Sequence, residues 1–285
     1  MNSEPLNRTA LEEHPLPPII NGDKETKGNI LIIAGSREVS GAALLAATGA
    51  MRAGAGKLRI ATVASVAPFL GIAMPEAMVV GFDEDDNGGF AVGVASALGD
   101  QAQNADAVVA GPGMVEGEAC TKIAQALLES GTAIALDAAL LHALQPLKTS
   151  RAIAPILLPH AGELASLLEC DEGTVEQNPL DCGKRAAECY RSIVLVKGVT
   201  SHVVTPNGQA WTYSGGAPGL GVSGSGDVLA GIVGGLLARG AKPLNALLWA
   251  VWLHGEAGTS LARKVGPIGF LARQIPDEVP GLLSR

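Results

Sequence analysis

Aromatic and basic side chains are scarce in this chain of 285 residues. Phenylalanine, tryptophan and tyrosine make up 3% of it, and 28 aspartates and glutamates outnumber 20 lysines and arginines, for a formal net charge of −8. A nucleic-acid-binding surface needs clustered positive charge and often aromatic stacking platforms. The composition therefore argues against nucleic acid as a partner and favours a small-molecule ligand.

Cysteines, signal sequences and long apolar runs are also lacking. The four cysteines show neither CxxC pairing nor histidines at zinc-binding spacing, so we expect reduced thiols, a reducing compartment and no metal cluster. The acidic N-terminus does not have the basic start and apolar core of a secretory signal. Polar residues, glycine or proline interrupt every apolar stretch before it reaches the roughly 20 residues of a membrane span. We therefore expect a cytoplasmic protein with no membrane partner.

Hydrophobic residues make up 47% of the chain, which allows a sizeable core. Seven apolar runs recur between helical patterns: NILIIAG, KLRIATV, AMVVGF, DAVVAGPG, TAIALDA, APILLPH and SIVLVKG. Strands that are apolar on both faces are typical of a parallel sheet covered by helices on both sides. The later segment SHVVTPNGQAWTYS predicts an antiparallel hairpin. We expect an α/β protein, a three-layer α/β/α sandwich with a mostly parallel central sheet and an antiparallel edge.

The domain organisation is simple. No repeat or low-complexity linker divides the chain, so we interpret residues 28–285 as a single domain and residues 1–27 as an N-terminal arm. Several predicted strands end in a glycine-containing or polar turn; these turns are at 35–36, 111–113, 137, 159–160 and 197–198. The carboxyl ends of strands form the ligand crevice in open α/β sheets. We therefore expect these turns to lie around one site.

A glycine-rich loop, GLGVSGSGD, ends in Asp227 and opens a predicted helix over 227–239. Its glycines at 219, 221, 224 and 226 predict positive φ angles and backbone N–H groups that approach phosphate oxygens. Asp227 is either a helix cap, worth on the order of 1 kcal/mol, or a general base toward an attacking hydroxyl. A cap needs no run of four glycines, which favours the general base.

Two other nucleotide-binding motifs are not present. Walker A requires GxxxxGK followed by Ser or Thr, whereas the segment MRAGAGKL begins with Met51 and ends with Leu58. The segment GGAPGLG does not follow a strand and open a helix, as a Rossmann fingerprint must. The sequence therefore argues against a P-loop protein and a Rossmann dehydrogenase.

Seven segments, in order from about residue 27 to about residue 263, resemble the ribokinase-like superfamily and, within it, the ADP/ATP-dependent NAD(P)H-hydrate dehydratases. They are KGNILIIAGSREVSGAALLA, RAGAGKLRIAT, AGPGM, LLPHAGELASLL, VLVKGVTSHVVTPNG, PGLGVSGSGDVLAGIVGGLLARG and LHGEAG. The resemblance implies a repair enzyme that returns (S)-hydrated NADH or NADPH to NADH or NADPH. ADP is then converted to AMP and phosphate, because phosphate leaves the ring more readily than hydroxide does.

The resemblance also implies roles for single residues. Asp227 is then the base toward the substrate hydroxyl, and His160 contacts the hydrated nicotinamide. Ala42 and Gly113 are implied as further substrate contacts. Glu163 is expected to help hold Mg²⁺ through water. The implied binding residues for ADP or ATP are Lys197, Gly198, Val199, Thr200, Ser201 and Gly226.

Structural alternatives stay open for several of these residues. Lys197 also fits a solvated strand-end lysine. His160 fits a turn histidine, and Glu163 a first-turn helix acid favoured by the helix dipole. Ala42 fits ordinary packing. His254, on an apolar helix, is more typical of a hydrogen-bonded core histidine than of a ligand.

Four positions depart from the family pattern. Ala139 replaces a second acid after Asp137, which weakens any role for that segment. Ser225 replaces a threonine, Val39 a tyrosine and Gly216 an asparagine.

Two other functions stay open. One is a ribokinase-like ATP-dependent kinase of a small alcohol, of the hydroxymethylpyrimidine or hydroxyethylthiazole type, although such kinases usually have asparagine at the position of His160. The other is a non-catalytic nucleotide sensor. We further expect a homo-oligomer, on the basis of the apolar composition and C-terminal helices, and an epimerase on a separate polypeptide.

Overall fold

The computed structural model describes residues 3–18, 24 and 26–284. Its strands are β1 Glu4–Pro5, β2 Asn29–Ile33, β3 Lys57–Val63, β4 Ala77–Phe82, β5 Ala107–Ala110, β6 Ala133–Leu136, β7 Ile156–Leu157, β8 Ile193–Val196, β9 Ser201–Val204 and β10 Ala210–Tyr213. They form one sheet of order β1-β10-β9-β8-β7-β6-β5-β2-β3-β4. Pairing is parallel from β4 through β8, whereas β9 is antiparallel to both β8 and β10. The predicted parallel sheet and antiparallel edge are confirmed.

Helices flank this sheet. They are α1 Arg8–Glu13, α2 Gly41–Arg52, α3 Ala67–Ala73, α4 Ala95–Gln103, α5 Glu118–Glu129, α6 Ala139–His142, α7 Ala161–Leu168, α8 Glu172–Gln177, α9 Pro179–Cys189, α10 Ser225–Ala238, α11 Pro243–Lys264 and α12 Ile275–Leu283. All seven apolar runs form strands. The run AMVVGF differs from expectation because β4 is an edge strand with one neighbour, so that Met78 is 59% exposed.

Helix α10 lies at the centre of the packing. All of its 14 residues except Gly226 and Asp227 are buried. A Cβ at Gly231 would lie 2.0 Å from the carbonyl oxygen of Ala46 on α2, so this glycine allows the two helices to touch. The close packing fixes α10 along its length, and its two least buried residues lie at its N-terminal end, where the candidate site is found.

The described part of the N-terminal arm packs on the rest of the protein. Strand β1 pairs with β10, and the Arg8 guanidinium lies 5.2 Å from the ring centre of Trp249 on α11. The indole nitrogen of Trp249 donates to the carbonyl of His14 at 2.8 Å. The predicted domain boundary after residue 27 stays a prediction, and residues 1, 2, 19–23 and 25 of the predicted arm lie outside the described residues.

Two composition-based expectations concern the thiols and the membrane. All four cysteines are free, in agreement with the prediction of reduced thiols. Within residues 3–18, 24 and 26–284, no helix combines the length and the apolar character that crossing a membrane requires.

Candidate functional site

An ion pair between a buried aspartate and a partly buried lysine joins two of the strand ends. Lys197 follows β8 and Asp137 follows β6, and the Lys197 ammonium donates to Asp137 Oδ1 at 2.7 Å. A second acid, Glu163 at the start of α7, places Oε2 3.6 Å from the same ammonium. Burial acts to lower the pKa of Lys197, but the neighbouring carboxylates, Asp137 foremost, outweigh it and raise that pKa. Lys197 is therefore a charge-paired residue of the site, and the alternative of a solvated strand-end lysine is wrong.

The Asp227 carboxylate makes no hydrogen bond that would give it a structural role within the described residues. It is the third residue of α10, and the N-cap position belongs to Gly224, which makes no side-chain cap bond. No hydrogen bond joins the Asp227 carboxylate to the described part of the chain. Burial, followed by repulsion from Asp137, raises the pKa of Asp227 to about 6, while Lys197 acts in the opposite direction. A free carboxylate that ionises near neutral pH has the properties of a general base rather than those of a cap.

The glycine loop only partly follows its prediction. Gly224 adopts the expected positive φ of 88°, which allows the chain to enter α10. The same expectation is wrong for Gly219, Gly221 and Gly226, whose φ angles are not positive. Gly219 is needed for packing instead, since a Cβ there would lie 2.4 Å from the ring of Phe270.

His160 makes structural hydrogen bonds through one ring nitrogen, while its ring stays largely exposed. Its Nδ1 accepts from the backbone N–H groups of Gly162 and Glu163 at 3.0 and 3.3 Å, while Glu163 Oε2 accepts from the His160 N–H at 2.7 Å. The two residues thus form a capping box at the start of α7. The His160 side chain is nevertheless 59% exposed. Because Nδ1 accepts, the neutral ring carries its proton on Nε2.

Glu163 is almost fully engaged by the protein. Oε2 meets the His160 N–H and the Lys197 ammonium, and Oε1 lies 3.3 Å from His160 Nε2. The described residues contain no group of three or more His, Cys, Asp or Glu arranged to hold a metal ion. Mg²⁺ commonly keeps several waters and is held by one or two carboxylates plus substrate phosphates. A direct bond from Glu163 to Mg²⁺ would have to displace these contacts, so only a contact through water is compatible with them, and Glu163 as a metal residue stays a prediction.

A cavity of about 810 Å³ opens beside the N-terminus of α10. Its volume lies in the range of small-molecule sites. Six predicted site residues line it: His160, Lys197, Gly198, Val199, Ser201 and Gly226. The loop from Tyr213 to Val222 and the α11 residues Val251, His254 and Gly255 form much of the remaining wall. The residues predicted for the adenine nucleotide are thus largely brought together.

Five predicted residues do not line this cavity: Ala42, Gly113, Thr200, Glu163 and Asp227. Glu163 and Asp227 still belong to the charge cluster around Lys197. Ala42 is buried, and a Cβ on Gly113 would lie 2.6 Å from the Ala42 Cβ. Ala42 and Gly113 therefore contact each other closely, and substrate contact by either residue stays a prediction.

Sequence reasoning missed two residues of the site. It discounted Asp137 because of Ala139, yet Asp137 carries the central ion pair. It predicted His254 only as a bonded core histidine, and Nε2 does lie 3.0 Å from Ser225 Oγ. His254 also lines the cavity, and burial lowers its pKa to about 4. The LHGEAG segment was the available signal, but it did not reveal that this histidine holds the first turn of α10.

Together, the sheet order, the antiparallel edge and the cavity at a glycine-opened helix define a ribokinase-like α/β protein with a candidate nucleotide site. A sequence model of the NAD(P)H-hydrate dehydratases matches residues 30–281. The chain belongs to this family. It is 46% identical over 282 residues to the ADP-dependent (S)-NAD(P)H-hydrate dehydratase of Xanthomonas campestris, an alignment that covers 98% of this chain and 96% of that protein.

A solved structure and a longer relative complete the comparison. The ADP/ATP-dependent NAD(P)H-hydrate dehydratase of Bacillus subtilis, co-crystallised with ATP and Mg²⁺, superposes with a TM-score of 0.87 at 27% identity. The match covers 100% of this chain and 99% of that one. The chain is also 32% identical to the bifunctional NAD(P)H-hydrate repair enzyme of Moorella thermoacetica, with 92% of this chain and 50% of that protein aligned. It therefore spans about half of the bifunctional relative.

Proposed function

We propose that this protein is an ADP-dependent NAD(P)H-hydrate dehydratase, a carbon–oxygen lyase that repairs (S)-hydrated NADH and NADPH. The observation that carries the proposal is Asp227, a carboxylate without a hydrogen-bond partner among the described residues, whose pKa is raised to about 6 at the mouth of α10. The near full-length similarity to the Xanthomonas dehydratase supports the choice of substrate and of ADP as donor.

The chemistry requires a base, a nucleotide site and a stable leaving group. The hydroxyl oxygen of the hydrated ring attacks the terminal phosphorus of ADP while Asp227 accepts the hydroxyl proton. AMP leaves from that phosphorus. The ring nitrogen lone pair then assists cleavage of the carbon–oxygen bond. Phosphate leaves with the bonding electrons, and loss of a ring proton restores the double bond of NADH or NADPH.

The residues that line the cavity support the binding roles that we propose. We place the adenine nucleotide against residues 197–201, of which all but Thr200 line the cavity, and against Gly226. There α10 offers backbone N–H groups and the positive end of its dipole to phosphate oxygens. The Lys197 ammonium is held by Asp137, so Lys197 brings a fixed positive charge to this side of the proposed nucleotide site. When bound, Mg²⁺ supplies positive charge to the phosphates, and Glu163 would hold it through water.

We assign the hydrated nicotinamide to the side of Asp227 where the exposed ring of His160 lies. The backbone of α7 occupies Nδ1, so the proton is on Nε2, where a substrate acceptor would compete with Glu163 Oε1 at 3.3 Å. Ala42 and Gly113 complete this proposed side, where their small size allows a close approach. These substrate contacts are supported by the family resemblance of the segments that contain them.

The assembly and partners follow from separate features. We propose a homo-oligomer, supported by the uncharged edge strand β4 and the exposed side chains of Phe69, Ile72 and Met78, which are 71%, 82% and 59% exposed. Light scattering of the protein and of a Met78→Lys variant tests this. We also propose a cytoplasmic location, supported by four free cysteines, and an epimerase as a partner activity, because the aligned relative that is about twice as long is bifunctional.

The decisive experiment follows absorbance at 340 nm with Mg²⁺, hydrated NADPH and ADP. Asp227→Asn is the test variant, and Asp181→Asn is the control because Asp181 is 76% exposed on α9. We expect an ADP-dependent rise that Asp227→Asn abolishes and Asp181→Asn keeps. Folded protein that binds nucleotide but gives no rise with ADP or ATP would refute the proposal and favour a small-alcohol kinase or a sensor.

A further inference from the structure

The turn after β6 holds Asp137 in a strained and tightly enclosed backbone. Ala138 has φ 48° and ψ −125°, a conformation that costs a non-glycine residue free energy. Its N–H donates to Asp137 Oδ1 at 3.0 Å. On the opposite side, a Cβ at Gly111 would lie 1.8 Å from the Asp137 carbonyl oxygen, so only glycine fits there. The position of the Asp137 carboxylate is therefore fixed by its own turn and by the neighbouring strand end.

This carboxylate determines where the Lys197 ammonium lies. The contact of 2.7 Å is the shortest that the ammonium makes, compared with 3.6 Å to Glu163. The ammonium also lies 3.8 Å from the position that a Cβ of Gly226 would take, at the first turn of α10. Asp137 is 2% exposed, so either partner alone would leave a poorly compensated charge. A lysine with three rotatable donors is thus confined to one place beside Asp227.

We propose that Asp137 is a positioning residue for the reaction at Asp227: it holds the Lys197 ammonium against the first turn of α10, beside both the base and the phosphoryl group. The inference rests on the proposed function. Asp137 is not among the residues that line the cavity, so in this proposal it acts through Lys197. The proposal also gives the strained turn at Ala138 a function, since backbone strain is often found at functional sites.

The charges around Asp227 make the effect of losing Asp137 specific. Asp137 faces Asp227 from the β6 turn and Lys197 faces it from β8. Glu163 on α7 acts on Lys197, and Lys197 in turn acts to lower the pKa of His254 on α11. In Asp137→Asn a negative neighbour is lost but the lysine stays positive. The Asp227 carboxyl then ionises at lower pH, and the ammonium is no longer confined.

The test measures kcat and KM against pH for the unaltered protein, Asp137→Asn and Asp181→Asn. We expect Asp137→Asn to lower kcat about 10-fold or more, to leave KM for the hydrate within about 2-fold, and to move the acidic limb to lower pH. Asp181→Asn matches the charge change at an exposed ion pair and should change none of these. Lys197→Met completes a double-mutant cycle. In the Lys197→Met background, Asp137→Asn should lower kcat by a much smaller factor than it does in the unaltered protein.

Two results would overturn the inference. One is an acidic limb of the pH–rate profile that stays in place in Asp137→Asn. The other is a double mutant with Lys197→Met whose loss of activation free energy equals the sum of the two single losses. Either one would make Asp137 a purely structural residue. A carboxyl NMR titration of Asp227 without substrate provides a readout independent of turnover, and its midpoint should fall in Asp137→Asn. An unaltered protein that shows no 340 nm rise would refute the proposed function, while the NMR midpoint would still decide whether Asp137 acts on Asp227.

Discussion

Asp227 should lower the stability of the folded protein at neutral pH. Its pKa is raised from an ordinary 3.8 to about 6, mainly by burial. Before solvent screening is considered, this rise in pKa corresponds to a loss of roughly 3 kcal/mol in the free energy of unfolding, since each tenfold change in proton affinity is worth about 1.4 kcal/mol. The side chain is partly exposed, and solvent screening reduces the cost to about 1–2 kcal/mol. Asp227→Asn should therefore raise the free energy of unfolding by that amount at about pH 7.5.

The sign follows from linkage. The folded state binds the Asp227 proton more tightly than the unfolded state, so the cost is complete above about pH 6 and fades as pH falls toward 4. The gain in Asp227→Asn should shrink in the same window. Urea unfolding at about pH 7.5 and about pH 4.5 measures it, with Asp181→Asn as the exposed control. An asparagine variant that is no more stable at the higher pH would show that the carboxylate bears no burial cost, and would remove one support for its role as a base.

Three further outcomes test the site. Below about pH 6, kcat/KM should fall about tenfold per pH unit as Asp227 is protonated, and a limb near 4 would contradict the assigned base. Gly113→Ala should cost about 1–3 kcal/mol in urea unfolding, because φ is +64° and the new Cβ would meet Ala42; an unchanged midpoint would contradict the packing. His254→Phe should weaken ADP binding about 10-fold in calorimetry, while His254→Gln, which keeps a donor toward Ser225, should retain it; equal losses would contradict the positioning role.

The fold was predictable because its signals are local. Runs that are apolar on both faces identified the parallel strands, and the Pro-Asn-Gly turn identified the β9–β10 hairpin. What could not be predicted is the order of the strands, and with it the exposure of β4. Met78 lies in a run as apolar as the others, and its 59% exposure follows only from the place of β4 at the end of the sheet.

The candidate site was predictable where function depends on one segment. The glycine-rich loop indicated Asp227, and its lack of a cap bond agrees with that interpretation. Asp137 was missed because its importance comes from a partner 60 residues away along the chain. Glycine composition was a similarly incomplete signal. It cannot distinguish Gly224, which needs a positive φ, from Gly219, which makes room for Phe270.

His160 shows why structural and functional interpretations of one residue need not compete. The sequence offered a turn histidine or a substrate contact as alternatives, and the structure assigns the first role to Nδ1. That bond fixes the neutral tautomer and leaves a protonated Nε2 on a half-exposed ring at the cavity wall. Lys197 follows the same principle, because its bond to Asp137 fixes the place of the charge. In both residues the structural bond determines which atom, in which protonation state, is presented for chemistry.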